Sequence, residues 1–209
     1  MHSAARGSAW GSATIRASWA RSASTRLLRW MCIGARYGYL PSVSRLETSK
    51  ILGDDGGVRE LYFAYGSNLS SRRLGQRVPG ARALGAAELD AYRLTFNKPS
   101  SDGSGKANLV PAPGAKAWGV VWSLPASAWR TLDGFEPGYA RRPCRVRGVG
   151  GEWYSAQVYL WLAPGPEQPP FASYLEHLRE GAREHGLPAE FLEQLSRVDA
   201  RPDPEKTSD

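Results

Sequence analysis

One short run of the sequence ends in a polar turn that could bind an anion. Residues 62–68, YFAYGSN, place an apolar stretch directly before Gly66, Ser67 and Asn68. A helix is predicted to begin near Ser70, so the turn would present backbone N–H groups at the start of that helix. Such groups suit an anionic oxygen. The alternative is that Gly66 simply ends a strand, and the sequence favours the ligand-binding turn.

A second feature is the carboxyl group of Glu136. In the segment LDGFEPGYARR it follows Phe135, precedes Pro137-Gly138 and stands three residues before Tyr139. A carboxyl that is partly shielded from water has its pKa raised toward neutrality, so it can take and give a proton near pH 7. The alternative, a solvated glutamate in a turn, is commoner for an isolated motif of this kind. The residues alone thus predict an anion or oxyanion site that faces one acid.

Other catalytic arrangements receive less support. The turn at Gly66 lacks the G-x-S-x-G spacing of a nucleophile elbow, and DGSGKAN (102–108) lacks the spacing of a phosphate-binding loop. Nothing in the spacing favours a triad of Ser67 with His177 or His185. The histidines lie near no cysteine pair or acid cluster, so no metal site is predicted. Cys32 and Cys144 are not expected to form a structural disulfide.

Hydrophobic patterns predict an α+β fold. A helix is expected after Pro125, and two more follow the break APGPEQPP, the first with apolar positions 171, 175, 178 and 182 before Gly186. The order of elements indicates a mixed, mostly antiparallel sheet that curls or closes into a small barrel, with helices packed outside. Five strands are predicted, over residues 61–65, 91–97, 116–124, 143–148 and 152–162.

The last of these strands carries two different faces. Its core face would run from Tyr154 to Leu162, and its other face, which includes Tyr159 and Trp161, mixes aromatic and polar groups. Such a mixture is typical of a pocket lining, but it also fits a half-exposed surface whose aromatic rings lie along the protein. From this strand alone the two interpretations stay open.

The net positive charge of the chain comes from an N-terminal segment. Residues 1–50 hold seven Arg and one Lys against a single acid, whereas residues 51–209 hold 19 basic and 19 acidic side chains. The body therefore has no net field to attract phosphate, and we expect no nucleic-acid partner. We predict a Ser/Ala/Arg-rich extension over residues 1–57, a domain over 58–200 and a polar tail over 201–209.

The extension admits three interpretations: a transit peptide, an over-extended translation start, or a functional basic arm. Apolar runs are too short for a membrane helix, so no membrane partner is expected. We predict a cytoplasmic protein, with a mitochondrial location as the alternative if residues 1–57 are a genuine transit peptide.

At these same residues the sequence resembles the γ-glutamylcyclotransferases. YFAYGSNL is similar to that family's strand and loop, and WGVVWSL followed by LDGFEPGY is similar to its strand and catalytic glutamate segment. The segment PPFASYLEHLREGAREHGLPAEFLEQL resembles the family's last helices. The match runs in order over residues 60–198, and no single motif carries it. One departure is that the family commonly has Glu-Gly where this chain has Glu136-Pro137, which redirects the following turn.

The resemblance implies a γ-glutamylcyclotransferase-like fold and an enzyme that forms 5-oxoproline and a free amino acid from a small γ-glutamyl amino acid or dipeptide, without water or cofactor. It implies Glu136 as the catalytic acid and base, and it leaves a homodimer open. Substrate contacts would come from the loop and from three tyrosines: Tyr62, Phe63, Ala64, Tyr65, Gly66, Ser67, Asn68, Tyr139, Tyr159 and Tyr174.

Three alternatives remain at this point. The fold could serve γ-glutamylamines or glutathione, although YGSN resembles the γ-glutamyl amino acid enzymes more closely. The protein could be a noncatalytic module that binds γ-glutamyl metabolites, against which the presence of Glu136 speaks. Finally, the basic segment could bind nucleic acid or an acidic membrane surface, and that binding would depend strongly on salt.

Overall fold

A computed structural model describes residues 50–53 and 56–204 of the chain. The described strands are β1 (Lys50–Leu52), β2 (Val58–Ala64), β3 (Arg82–Pro99), β4 (Gly105–Pro125), β5 (Ala140–Gly148) and β6 (Trp153–Leu160). The described helices are α1 (Ser71–Arg77), α2 (Trp129–Phe135), α3 (Ala172–Glu184) and α4 (Ala189–Ser196), with short 3₁₀ turns at Ser67–Leu69 and Ala126–Ala128.

The long hairpin of β3 and β4 forms most of the sheet. Its antiparallel ladder runs from the pair Arg82 and Ser123 to the pair Pro99 and Gly105, with three register shifts along the way. One shift lies beside Ala91, whose φ of 61° is positive. Because a bulge bends its strand and increases the local twist, these irregularities curl the hairpin enough for its ends to meet other strands.

The curled sheet closes on itself. One edge of β2 pairs antiparallel with β4, and its other edge meets β6 in parallel where Tyr62 faces Gln157. Strands β6, β5 and β3 complete the circuit through antiparallel pairs, while β1 adds to the start of β2. The result is a mixed, mostly antiparallel barrel of five strands with helices outside, which confirms the predicted fold class.

Two glycines permit the close contacts that set the helices and strands in place. A Cβ at Gly119 of β4 would lie 2.3 Å from the carbonyl oxygen of Ala64, so β2 and β4 pack without an intervening side chain. A Cβ at Gly181 of α3 would lie 2.3 Å from the backbone of Leu69. Helix α3 is therefore seated directly on the turn that follows β2, and any larger residue at Gly181 would push the two apart.

Strands β3 and β4 extend well beyond the predicted segments 91–97 and 116–124. Strand β6 ends at Leu160, so Leu162 is 52% exposed and the prediction that it belongs to the core was wrong. Within the described ranges, no three His, Cys, Asp or Glu side chains cluster as metal ligands. None of the described helices combines the length and apolar character that a membrane crossing requires.

Both ends of the predicted domain carry pairing beyond the predicted boundaries. Strand β1 lies inside the segment predicted as an extension and pairs with β2, although its residues are exposed. At the other end, Arg201 forms a bridge with Phe171, and Asp203 accepts hydrogen bonds from Ser173 at the start of α3. The division into 1–57, 58–200 and 201–209 stays a prediction, and residues 1–49 lie outside the described part of the chain.

Candidate active site

A pocket of about 280 Å³, including its open mouth, lies where the end of β2 meets α3 and the segment after α2. Its wall joins the predicted turn, the predicted acid and five of the protein's tyrosines. Only Ala107 among the lining residues was missed from the sequence, since an alanine in a strand gives no chemical signal. The lining consists of Tyr62, Tyr65, Gly66, Ser67, Asn68, Ala107, Glu136, Tyr139, Tyr159 and Tyr174.

Two residues predicted to contact substrate do not line this pocket. The side chains of Phe63 and Ala64 are fully buried in the core. The Phe63 ring occupies the space that a side chain at Gly119 would need. Strand alternation explains the division between Tyr62 and Phe63, because neighbouring side chains in β2 point to opposite faces.

The turn after β2 is fixed by hydrogen bonds within the turn and at the start of α1. The N–H of Leu69 donates to the carbonyl of Gly66 at 2.9 Å, and the Ser70 hydroxyl caps α1 by accepting from the N–H of Arg73 at 3.3 Å. The first N–H groups of such a turn have no acceptor within it. A Cβ at Gly66 would lie 3.4 Å from the Tyr174 hydroxyl, so glycine keeps this part of the wall close to the helix.

Glu136 is placed by a tight turn at the end of α2. Its N–H donates to the carbonyl of Asp133 at 3.3 Å, and its own carbonyl accepts from the N–H of Tyr139 at 3.2 Å. Gly138 has a φ of 83°, and a Cβ there would lie 2.8 Å from the Trp161 ring. The turn formed with Pro137 therefore still delivers Tyr139 to the pocket, packed beneath the indole of Trp161.

The carboxylate of Glu136 is bound through one of its two oxygens. Oε1 accepts from Asn68 Nδ2 at 2.9 Å and from Arg77 Nη1 at 3.2 Å. Arg77 also donates to Asn68 Oδ1 at 3.0 Å, and its guanidinium lies 4.9 Å from the centre of the Phe135 ring. Within the described residues Oε2 accepts no hydrogen bond from the protein, which leaves that oxygen able to accept one from another molecule.

Sequence reasoning missed Arg77. Its side chain reaches Glu136 across 59 positions of sequence, so no local pattern joins the two residues. The available signal was indirect, because Arg73 and Arg77 stand four residues apart on a helix that starts at the predicted turn. Residues with that spacing share one helix face, and a face next to a carboxylate site is a suitable place for arginine.

The pocket tyrosines are fixed by hydrogen bonds to the protein. The Tyr65 hydroxyl donates to the carbonyl of Tyr159 at 2.5 Å, and the Tyr159 hydroxyl donates to Asp133 Oδ1 at 2.5 Å. The Tyr139 hydroxyl donates to the carbonyl of Ala107 at 2.7 Å, while the N–H of Ala107 donates to the Tyr174 hydroxyl at 3.1 Å. Asp133 thus orients a pocket tyrosine.

Comparison with known proteins identifies the family to which the chain is similar. Residues 116–195 match the model of the AIG2-like family. The γ-glutamylcyclotransferase of Homo sapiens is 33% identical over 148 residues, which cover 66% of this chain and 78% of the human protein. The chain belongs to the γ-glutamylcyclotransferase family. The γ-glutamylcyclotransferase of Bos taurus is 32% identical over 152 residues, or 68% of this chain and 80% of the bovine protein.

A solved γ-glutamyl cyclotransferase structure superposes with a TM-score of 0.66 at 32% identity, covering 72% of this chain and 94% of that structure. The protein is therefore an enzyme of the γ-glutamylcyclotransferase type, built on the barrel described above. Proteins of this family act on small γ-glutamyl substrates, and the pocket is the concave site where Glu136 and the loop at Gly66 meet.

In this γ-glutamylcyclotransferase, two opposing effects act on the proton affinity of Glu136. Burial raises the pKa of the carboxyl, while Arg77 and the hydrogen bond from Asn68 act to lower it, and the net direction is upward. Its side chain is 16% exposed. Burial also raises the pKa of the pocket tyrosines, to about 12 for Tyr174. These phenols stay neutral near pH 7.

Proposed function

We propose that the enzyme converts γ-glutamyl amino acids to 5-oxoproline and the free amino acid, with Glu136 as general acid and base. The observation that carries this proposal is the placement of Glu136 in the pocket wall beside the turn at Gly66, where its Oε2 accepts no hydrogen bond from any residue that the structure describes. The α-nitrogen of the substrate attacks its own γ-carbonyl carbon, forming the ring bond, and the bond from that carbon to the leaving nitrogen breaks.

The protons balance within one carboxyl group. The ionised Glu136 first accepts a proton from the substrate's α-ammonium at Oε2, which frees the nitrogen lone pair for attack. The protonated carboxyl then donates to the nitrogen of the leaving amino acid as the tetrahedral intermediate collapses. The regenerated carboxylate takes the second proton from the ring nitrogen and passes it to the released amine, which leaves a lactam N–H and an ammonium group. Proton transfer by a positioned side chain contributes roughly 10²- to 10⁴-fold to a rate. A pKa raised from the ordinary glutamate value suits both steps.

The turn would stabilise negative charge on substrate oxygen. Its backbone N–H groups and the Ser67 hydroxyl, in the pocket wall, are suited to the oxygen of the tetrahedral intermediate or to the substrate's α-carboxylate. Losing one such donor typically costs about 10²- to 10³-fold in rate. We assign the five tyrosines of the wall to substrate binding because their phenols are neutral and held in place.

The reaction in this form needs no cofactor. Nucleophile and electrophile belong to the same substrate molecule, and effective molarities of well-oriented intramolecular reactions reach about 10⁵ M or more. The pocket then contributes chiefly by folding the glutamyl chain so that its α-nitrogen approaches the γ-carbonyl. Rigid tyrosine walls are suited to that task.

Replacement of Glu136 by glutamine tests the proposal. Wild type and Glu136→Gln are incubated with γ-glutamyl-alanine, and 5-oxoproline is measured by chromatography. We expect binding and folding to persist while turnover falls by about 10²- to 10⁴-fold, because the amide has the same shape but cannot carry the proton. Glu176→Gln, an exposed glutamate of α3, is the matched control with unchanged activity. Near-normal turnover in Glu136→Gln would remove this residue from the mechanism.

A further inference from the structure

Four basic side chains lie around the pocket, and two of them pair with a carboxylate in the described part of the chain. Arg77 pairs with Glu136, and Lys106 pairs with Asp102 at 2.9 Å. Arg73 faces His177 of α3, with its Nη1 3.3 Å from the imidazole Nε2. Lys98 has no ion pair with any carboxylate in the described part of the chain.

Lys98 lies near the tip of the long hairpin, beside the aromatic rim of the pocket. Its Nζ is 5.5 Å from the centre of the Tyr139 ring and 5.8 Å from that of Trp161. Cations are attracted to ring faces at such distances, so the ammonium is held in position without being neutralised. Its charge is felt at the catalytic site, since Lys98 is one of the groups that lower the pKa of Glu136.

The exposure of the aromatic residues separates the floor of the pocket from its mouth. Tyr62, Tyr65 and Tyr159 are each 5% exposed or less and form the floor. Tyr139 and Trp161 are only partly buried and form the mouth, next to Lys98. An unpaired cation therefore stands at the entrance.

The wall of the mouth is rigid. Trp161 donates its N–H to Asn108 Oδ1 at 2.9 Å and accepts at its carbonyl from Asn108 Nδ2 at 3.1 Å. Asn108 is fully buried, and the indole N–H of Trp161 donates to the carbonyl of Ala163 at 2.6 Å. The Lys98 ammonium therefore lies beside a ring that is itself fixed.

The chemistry of the substrate then assigns a role to this cation, given the proposed function. Ring closure requires the glutamyl part to lie beside Glu136, so the leaving residue extends toward the mouth. We propose that the Lys98 ammonium binds the α-carboxylate of the leaving amino acid and so selects γ-glutamyl-α-amino acids over γ-glutamylamines and amides. Lys98 acts on specificity alone and takes no part in bond making or proton transfer.

A pair of substrates that differ only in this carboxylate tests the inference. The value of kcat/KM is measured for γ-glutamyl-alanine and for γ-glutamyl-alaninamide, in which a neutral amide replaces the carboxylate. A charge-assisted hydrogen bond supports a preference of about 10-fold or more for the acid in wild type. In Lys98→Met we expect the ratio to fall close to one through a higher KM for the acid, because any change in the pKa of Glu136 acts on both substrates alike and cancels in the ratio.

Two further variants separate charge from shape. Lys98→Arg should retain most of the preference, because a cation remains between the same rings. Lys116→Met, on β4 and paired with Glu88, should leave the ratio as in wild type. An unchanged ratio in Lys98→Met, or equal use of both substrates by wild type, would overturn the inference while leaving the proposed function intact. If wild type forms 5-oxoproline from neither substrate, both the inference and the proposed function are refuted.

Discussion

Replacing Arg77 with methionine should move the acid limb of the pH–rate profile to higher pH. Arg77 and Glu136 approach to 3.2 Å, and their side chains are only 14% and 16% exposed. Methionine keeps much of the side-chain volume over the Phe135 ring but removes the positive charge. Burial is the largest effect on the pKa of Glu136 and raises it, whereas Arg77 lowers it. Without the charge of Arg77, the pKa of the carboxyl should therefore rise.

The size of the displacement follows from the geometry. Two unit charges at this separation interact by about 5 kcal/mol at an effective dielectric constant of 20, and by about 1.3 kcal/mol in bulk water. Because a shift of one pKa unit corresponds to about 1.36 kcal/mol, this range brackets the fall of about 1–3 units that a neighbouring cation produces in a carboxyl pKa. We expect a rise of about 1–2 units in Arg77→Met, since the Asn68 hydrogen bond remains.

The direction of the effect follows from the proposed first step. Glu136 must be ionised to accept the ammonium proton, so a higher pKa leaves fewer molecules competent at low pH. The rate of 5-oxoproline formation should fall about 10- to 100-fold on the acid limb, and much less at pH values above the new pKa. The substrate's α-amine titrates equally with every variant, and the displacement between variants therefore belongs to the enzyme.

The measurement is kcat/KM for 5-oxoproline formation as a function of pH, between about pH 5 and pH 9. Two control variants accompany it. Arg77→Lys retains a cation and should shift the limb less than Arg77→Met does. Arg72→Met removes an arginine that is 65% exposed and pairs with Glu180, so its profile should match that of wild type. A uniform loss of rate at all pH values in Arg77→Met, with the limb in place, would refute the electrostatic reasoning and leave Arg77 a purely structural residue.

Two further outcomes are expected. Gly138→Ala places a Cβ 2.8 Å from the Trp161 ring at a φ of 83°. We expect kcat to fall about 10-fold or more and the free energy of unfolding, measured in urea, to fall by about 1–2 kcal/mol. The control is Gly114→Ala, at a φ of 80° with open space around it, which should lose stability without losing kcat. A chain that begins at Val58 should keep the activity of the full chain, because β1 is exposed and contributes no residue to the pocket lining. Activity retained from Lys50 but lost from Val58 would move the domain boundary to residue 50.

The parts of the fold that local patterns specify were predictable. Helix α3 spans Ala172–Glu184, and its buried positions 175, 178 and 182 are those at which the sequence repeats apolar residues. Ser70 caps α1 next to the predicted helix start. In both cases the signal lies within a few residues of the structure that it specifies, because the side chains concerned pack on one helix face or bond the adjacent backbone.

Segments whose structure depends on distant partners were not predictable in this way. The first half of β3 reads RALGAAELD, in which small residues give no alternation, yet it is a strand because β4 pairs with it from residue 116 to 123. Tertiary pairing overrides weak local preference there. The same limit applies to Arg77 and Ala107, whose roles in the site come from contact with residues far along the chain.

A single carboxyl can serve as base and then as acid only when neither of its charge states is strongly favoured. Burial at the end of α2 favours the protonated form of Glu136, whereas Arg77 of α1 favours the ionised form. These effects come from separate elements that meet at Oε1, and the contact leaves Oε2 for the substrate. The closed barrel and the seating of α3 on the turn at Leu69 hold those elements at that distance. Under the proposed mechanism, a shift of the pKa of Glu136 in either direction would slow one of the two proton transfers, and the opposing effects of burial and of Arg77 would limit such a shift.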